Sequence, residues 1–435
     1  MKRQLYGLLL LLSFVLGASA QRAQVAKSDA VTRNLHRHIE YLASDKLEGR
    51  RIGSSGATHA AGYVANQFAR LKLKPGARSS NGKSNYLQPF PYTFSREGGQ
   101  KVSVTGYNVI GILDGRDRSL RNEAIVIGAH YDHLGHGGEG SLAANSTAIH
   151  HGADDNASGT AAIIELARKF VKAKSNKRTI IFIAFSGEEE GLFGSKYYVN
   201  SPVFPIAKTV AMLNLDMVGR LHDDKLTIGG IGTASEWKAL VEQKNIDGAA
   251  NLTVNGAERF KLGLNEDGFG PSDHASFYTK KIPVLFFFTG THLDYHKPTD
   301  TADKINYAGE EKVIDYVASI ATAIDEMPSR PTYEVAKSSG TGDRRTSSFK
   351  VSLGTIPSYT DSDSGLVLDG VRDDSPAAKA GLKAGDKIIR LAGVDVKNIQ
   401  DYVKALGEMQ PDKEYDITVI RGTETITFKI VPVKR

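Results

Sequence analysis

The sequence predicts an α/β fold: a three-layer sandwich with a mixed, mostly parallel central sheet, followed by a small C-terminal β-rich domain. Three observations carry this expectation. Short, nearly continuous apolar runs recur at Ala124–Ala129, Thr179–Phe185, Val210–Leu213 and Pro283–Phe288, as strands covered on both faces require. Apolar residues at helical spacing lie between and after them, at Ile163, Ala167, Phe170 and Val171 and at Val313, Tyr316, Val317 and Ile320, so strands alternate with amphipathic helices. Finally, 435 residues exceed what one hydrophobic core usually organises.

The elements follow in order. Lys2 and Arg3 precede an apolar run from Leu8 to Leu16 and then Ala18-Ser19-Ala20, the layout of a cleavable secretory signal over residues 1–20. A secreted or periplasmic protein is expected, without an integral membrane span in the mature chain, because no later window is long and uncharged enough. From Val31 to Leu73 two helices flank a glycine-rich, basic loop spanning Gly49 to Gly62. Residues 21–328 form the first domain. Residues 329–348, with Pro331, Ser338-Ser339-Gly340-Thr341-Gly342 and Arg344-Arg345, read as a linker. Residues 349–435 form the second domain.

Composition narrows the function classes. The chain has 0 Cys, so neither disulfides nor thiolate metal ligands are available. The formal charge of +6 falls to +4 once Lys2 and Arg3 are removed, a weak bias for this size that gives no nucleic-acid signal.

In open α/β sheets chemistry gathers at the strand ends and the loops after them. There the sequence offers His130, Asp154, Glu189, Asp216 and His296. This imidazole and carboxylate donor set suits zinc, with manganese or cobalt as substitutes. One His and one further carboxylate on each side of a shared Asp154 make two three-ligand cups with room for a water between two ions. Glu188 adjoins Glu189, so on an extended loop it faces the other way and is free to act as a base. Asp132 follows His130 by two residues, faces the same side, and is placed to accept the second ring proton of that histidine. Ser272-Asp273-His274 could orient ligands near His296. Taken singly, such residues are more often solvated or cap helices. Five of them, each after an apolar run or glycine turn of one domain, shift the balance towards a metal site.

The ordered segments Gly128-Ala129-His130-Tyr131-Asp132-His133, Gly152-Ala153-Asp154-Asp155-Asn156-Ala157-Ser158-Gly159, Gly187-Glu188-Glu189-Glu190-Gly191-Leu192-Phe193-Gly194-Ser195, Leu213-Asn214-Leu215-Asp216-Met217 and Tyr295-His296-Lys297-Pro298-Thr299-Asp300-Thr301 resemble the co-catalytic zinc exopeptidases, the family that includes bacterial leucyl aminopeptidases and glutamate carboxypeptidases. The resemblance covers Ala30 to Met327. It implies two zinc ions, with Asp154 bridging, Glu189 and His296 completing one site, and His130 and Asp216 the other. It further implies Glu188 as general base, Asp132 as the residue orienting the first histidine, an unusual backbone at Asp155, and peptide substrates. The family contains enzymes that bind a free α-amine and others that bind a terminal carboxylate. An aminopeptidase is favoured because no long insert resembling the dimerisation insert of the carboxypeptidase branch is present. The region from Gly256 to Gly270, with Arg259, Lys261, Glu266 and Asp267, is expected to border the pocket. The alternatives are a carboxypeptidase or dipeptidase of the same family, a single-zinc glutaminyl cyclase that shares this sheet, and a non-catalytic peptide-binding protein.

In the second domain, Gly365-Leu366-Val367-Leu368, Ser375-Pro376-Ala377-Ala378-Lys379-Ala380-Gly381-Leu382 and Gly385-Asp386-Lys387-Ile388-Ile389 are similar to PDZ domains of bacterial exported proteases, with Ser352 to Pro357 as the loop for a peptide end. The resemblance implies capture of a peptide or protein C-terminus by strand addition. Pro357 would remove a donor from that edge.

Overall fold

The computed structural model describes the chain from residue 30 to 434, except residues 79–80, 96–100, 139, 144–145, 250–257, 337–350, 358–364, 372–374 and 398. The expected signal segment and most of the expected linker therefore lie outside the described residues.

A nine-stranded sheet organises the first domain. Its strands are β1 (Lys74–Pro75), β2 (Leu87–Ser95), β3 (Lys101–Leu113), β4 (Ala124–His130), β5 (Thr179–Phe185), β6 (Thr209–Leu215), β7 (Lys225–Gly229), β8 (Lys261–Leu264) and β9 (Val284–Phe288). The spatial order is β1-β3-β5-β4-β6-β9-β7-β8, with β2 also paired to β3. The central strands β5, β4, β6 and β9 run parallel. The β2–β3 hairpin is antiparallel, as are the β3–β5 and β7–β9 pairings. The sheet is thus mixed, and parallel at its centre.

Alternation along the buried strands sends side chains into two cores. Ile125, Ile127, Ala129, Ile180, Phe182, Leu213 and Phe287 join the core under α1 (residues 30–42), α2 (Ser55–Arg70), α3 (Gly159–Ala173), α5 (Trp237–Ala249) and α7 (Tyr307–Glu326). Ala124, Val126, Ile181, Ile183, Phe185, Met212 and Val284 pack on the opposite face, under α4 (Phe193–Asn200) and α6 (His274–Tyr278). Two apolar faces covered by helices make the three layers.

The expected loop from Gly49 to Gly62 is shorter than its composition suggests. α2 already starts at Ser55, because the Ser54 hydroxyl accepts a hydrogen bond from the Ala57 amide and caps the helix. The first residues of the expected linker are also not free. Arg178, fully buried, donates to the carbonyls of Ile324, Asp325, Met327 and Ser329, and Ala336 is buried with its amide on the Tyr278 hydroxyl.

The second domain has its own core, built on Leu353, Leu366, Leu368, Ile388, Leu391, Ile417 and Val419. Its main sheet runs β10 (Thr355–Pro357), β11 (Leu366–Val371), β12 (Lys387–Leu391), β13 (Tyr415–Arg421) and β14 (Glu424–Ile430). The helices are α8 (Pro376–Ala380) and α9 (Ile399–Glu408). β10 and β14 are the edge strands, and β10 contains Pro357. Tyr402 of α9 hydrogen-bonds Thr355 of that strand. Among the described residues no helix is long and apolar enough to cross a membrane.

Candidate metal centre

The four central strands are parallel, so their C-terminal ends share one edge of the sheet, and the candidate residues emerge there. His130 is the last residue of β4, Glu188 and Glu189 follow β5, Asp216 follows β6, and His296 lies in the segment after β9.

Asp155 stands between the two histidines. Its Oδ1 is 3.4 Å from His130 Nε2 and its Oδ2 is 3.1 Å from His296 Nε2. Asp216 Oδ1 lies 3.3 Å from His130 Nε2, and Glu189 Oε2 lies 3.2 Å from His296 Nε2. The expected bridge, Asp154, is elsewhere. Its Oδ1 accepts from the Gly219 amide at 2.7 Å and its Oδ2 faces His292 at 3.2 Å. The shared position therefore belongs to Asp155. The reason is local: adjacent side chains in this turn diverge, and the turn itself is held by Asp300, whose Oδ2 accepts from both the Asp154 and Asp155 amides. The unusual backbone expected near here is the cis Asp155–Asn156 peptide. Asn156 secures the far side, donating to the Leu215 carbonyl and accepting from the amides of Gly159 and Met217.

Two groups of donor atoms converge: His130, Asp155 and Asp216, and His133, Asp155 and Glu189. His133 carries no role in the sequence reading, although it lies three residues after His130; its Nδ1 is 2.7 Å from Glu189 Oε1. Its position in the same motif was the signal, but spacing alone did not show that the turn after β4 brings both rings to one side.

The hydrogen bonds of the rings test whether a cation fits. His130 Nδ1 meets the Asp132 carbonyl at 3.2 Å, and His296 Nδ1 meets the Gly140 carbonyl at 2.8 Å. A carbonyl can only accept, so each Nδ1 carries the proton and each Nε2 turns a lone pair towards carboxylate oxygens. Lone pair against anion is repulsive unless a cation lies between them. The same demand appears as a proton affinity: although burial opposes it, Asp216 and Glu188 raise His130 well above the ordinary histidine range, and Glu189 and Asp155 do so for His296. Imidazole and carboxylate around a buried anionic centre fit zinc.

The neighbouring groups are tuned by burial. It raises the Glu188 carboxyl well above its ordinary range, helped by Glu189 and Asp216. It also pushes Asp132 up to about 7. Burial and Asp155 oppose ionisation of Glu189, but His296 and His133 hold it at about 2. Asp132 does not accept the His130 ring proton through its carboxylate, which is 3.8 Å away; its own carbonyl does, and its Oδ1 instead accepts from the Glu188 amide at 3.3 Å. It thus ties the histidine turn to the loop carrying Glu188.

Two further expectations change. Ser272-Asp273-His274 sits on the other side of the centre from the one expected. Ser272 accepts from Asn214, buried Asp273 feels the charges of His130 and Asp216, and His274 stacks on Phe286 at 4.6 Å. The charged residues of the Gly256 to Gly270 region do not line the pocket; Arg259, for one, turns to Phe260 and Asp315. The walls are Met217, Pro271, Phe286, Phe288, Thr291 and Tyr295, over a floor of Asp155, Glu188, Glu189, Asp216 and His296.

Comparison with known proteins agrees with this geometry. Residues 108–321 match the model of peptidase family M28, and residues 352–431 match that of a PDZ domain. Leupeptin-inactivating enzyme 1 of Streptomyces exfoliatus is 30% identical over 294 residues, 66% of this chain and 55% of that protein. Aminopeptidase YwaD of Bacillus subtilis (strain 168) is 28% identical over 231 residues, 50% of this chain and 44% of that protein. The chain thus spans about half the length of these curated relatives. Among solved structures, the aminopeptidase from Aneurinibacillus sp. strain AM-1 shares the fold with a TM-score of 0.50 at 21% identity, covering 72% of this chain and 98% of that one. Taken with the buried cluster of histidines and carboxylates, these matches place residues 108–321 with peptidase family M28 and residues 352–431 with PDZ domains.

Proposed function

We propose that the protein is an exported aminopeptidase that holds two zinc ions and releases apolar residues from free peptide N-termini. Export rests on the charged, apolar and small-residue order of residues 1–20. His130 and Asp216 would hold one ion, and Glu189 and His296 the other with His133 beside them; Asp155 would be shared. Bound there, zinc supplies Lewis acidity for the scissile carbonyl and lowers the pKa of water. Glu188 takes the proton of the attacking water and returns it to the leaving amine, a task suited to a carboxyl raised by burial. Asp132 holds that loop in place through the Glu188 amide.

The observation that carries the aminopeptidase reading is the pocket wall. Carboxylates and apolar side chains line it, and no Lys or Arg does among the described residues. A terminal carboxylate would find no cationic partner there, whereas a protonated α-amine would meet a site lined by carboxylates. Met217, Phe286 and Phe288, with Tyr295 packed against them, offer an apolar surface to the side chain of the released residue. In the second domain, the free edge of β10 is where a peptide or protein C-terminus would add as a strand, with Pro357 limiting the number of donors.

The test is hydrolysis of free, N-acetylated and N-glutaminyl peptides by the zinc-loaded protein, beside Glu188→Gln. Cleavage confined to free-amine peptides, fastest with Leu or Phe first and lost in the variant, supports the reading. Release of C-terminal residues would move it to the carboxypeptidases, pyroglutamyl products to the cyclases, and zinc binding without turnover to a binding protein.

A further inference from the structure

We propose that Arg50 is a positioning residue of the metal centre, fixing the turn that carries His130 and Asp132 in register with the turn that carries Asp155. The inference rests on the metallopeptidase reading of that centre. Arg50 lies far from every ligand in sequence and outside the part of the chain that matches the peptidase family. It is 0% exposed. Its Nε donates to the Tyr131 carbonyl at 2.7 Å, between His130 and Asp132. Its Nη1 donates to the His151 carbonyl at 2.7 Å and its Nη2 to the Gly152 carbonyl at 2.9 Å, just before Ala153-Asp154-Asp155. Nη1 also donates to the Leu42 carbonyl at the end of α1. One planar group thereby spans both ligand-bearing turns and the helix behind them.

The charge has a purpose that carbonyl bonding alone would not require. No carboxylate lies within ion-pair distance of the guanidinium among the described residues, yet Asp132, Asp155, Asp300 and Glu189 are its electrostatic neighbours. Burial lowers Arg50 to about 10, so it stays cationic at neutral pH. A fixed cation behind the ligands offsets part of their mutual repulsion and keeps them converged.

The backbone is shaped to deliver the side chain. Glu48, Gly49 and Arg50 have φ of 46°, 68° and 52°, three successive left-handed residues, of which Glu48 and Arg50 cost strain unless the surroundings hold them. Gly135 donates its amide to the Gly49 carbonyl, and His150 donates to that of Gly135. A Cβ on Gly49 would come within 2.5 Å of the Gly135 oxygen and 2.6 Å of the His150 oxygen. Lysine is no substitute: it keeps the charge but lacks the planar fork.

The experiment measures zinc affinity by chelator competition for the full chain with Arg50, Arg50→Lys, Arg50→Met and Arg50→Gly. Peptide turnover and the thermal shift on adding zinc are recorded alongside. Arg50→Lys is expected to fold and to lose about 10–100-fold in zinc affinity, with Arg50→Met losing more. At saturating zinc, kcat should fall while KM changes little. Millimolar methylguanidinium should restore zinc affinity to Arg50→Gly but not to Arg50→Lys. Folded Arg50→Lys with unchanged zinc affinity, or an effect on thermal stability alone, overturns the proposal. If Arg50→Met does not fold, the lysine variant and the rescue still decide. A wild-type chain that binds zinc but cleaves no peptide refutes the peptidase reading, while the affinities still judge Arg50.

Discussion

The two domains of this chain differ most in how they treat buried polar groups. In the PDZ domain the buried charge, Asp386, is met by Arg421 through two bonds of 2.7 and 2.8 Å, and among the described residues no buried side-chain polar atom there lacks a partner. In the peptidase domain such atoms are many: some lie at the metal centre, an Asp132 oxygen, a His133 nitrogen and both oxygens of Asp273, and others lie away from it, as at His38, Asn176 and Trp237. A folded chain normally satisfies its buried polar groups, so the exceptions among the converging histidines and carboxylates are the ones a bound cation would complete. The first region closes its buried charge within the chain, and the second leaves donor atoms open at the centre proposed to hold zinc.

Breaking this contrast should have graded effects. The largest is expected at Glu188→Gln, where kcat should fall about 10²–10⁴-fold while zinc content, followed by atomic absorption, stays unchanged. Next comes the aspartate pair. Asp155→Asn should release zinc and abolish turnover, whereas Asp154→Asn should retain both ions; equal zinc loss in the two variants would refute the assignment of the shared position. In the PDZ domain, Asp386→Asn removes the charge that Arg421 pairs with and leaves it the Gly381 carbonyl. It should lower the melting midpoint of that domain by about 10 °C and leave peptide turnover in the other domain untouched.

The smallest effect is one of pH. Burial pushes His274 down to about 3, so it is neutral in the folded protein, while the unfolded chain takes up a proton below its ordinary value near 6.5. Stability from this group is full above pH 6.5 and is lost as pH falls towards 3, by about 2 kcal/mol at pH 5. Asp273, raised to about 6 by burial, has the opposite sign, since the folded protein protonates it first. The clean reading is therefore wild type against His274→Phe in denaturant titrations at pH 7 and pH 5, where the variant should lose less stability.

Much of this molecule was legible in its sequence, for physical reasons. Runs such as Thr179–Phe185 can only be strands covered on both sides, and strands ending in His130 or followed by Glu189 and Asp216 placed the donors at one sheet edge. The failures are equally specific. Asp154 and Asp155 are chemically identical, and only the turn held by Asp300 and Asn156 decides which one faces the histidines. The role of His133 depends on a turn that spacing does not encode. The β2–β3 hairpin escaped notice because Pro89, Pro91 and Gly106 interrupt its pattern, and prolines are tolerated there since, among the described residues, β2 pairs only with β3. Arg50 had no motif to announce it, because its partners are all backbone carbonyls, to which sequence identity is silent.

That last feature bears on where the enzyme begins. The stretch similar to other peptidases of the family starts at residue 108 and holds every donor of the metal centre, so a chain trimmed to that stretch would look complete by its inventory of ligands. It would nonetheless lack the guanidinium that bonds to the Tyr131, His151 and Gly152 carbonyls. If Arg50 positions these turns as proposed, the working unit is longer than the stretch that matches the family.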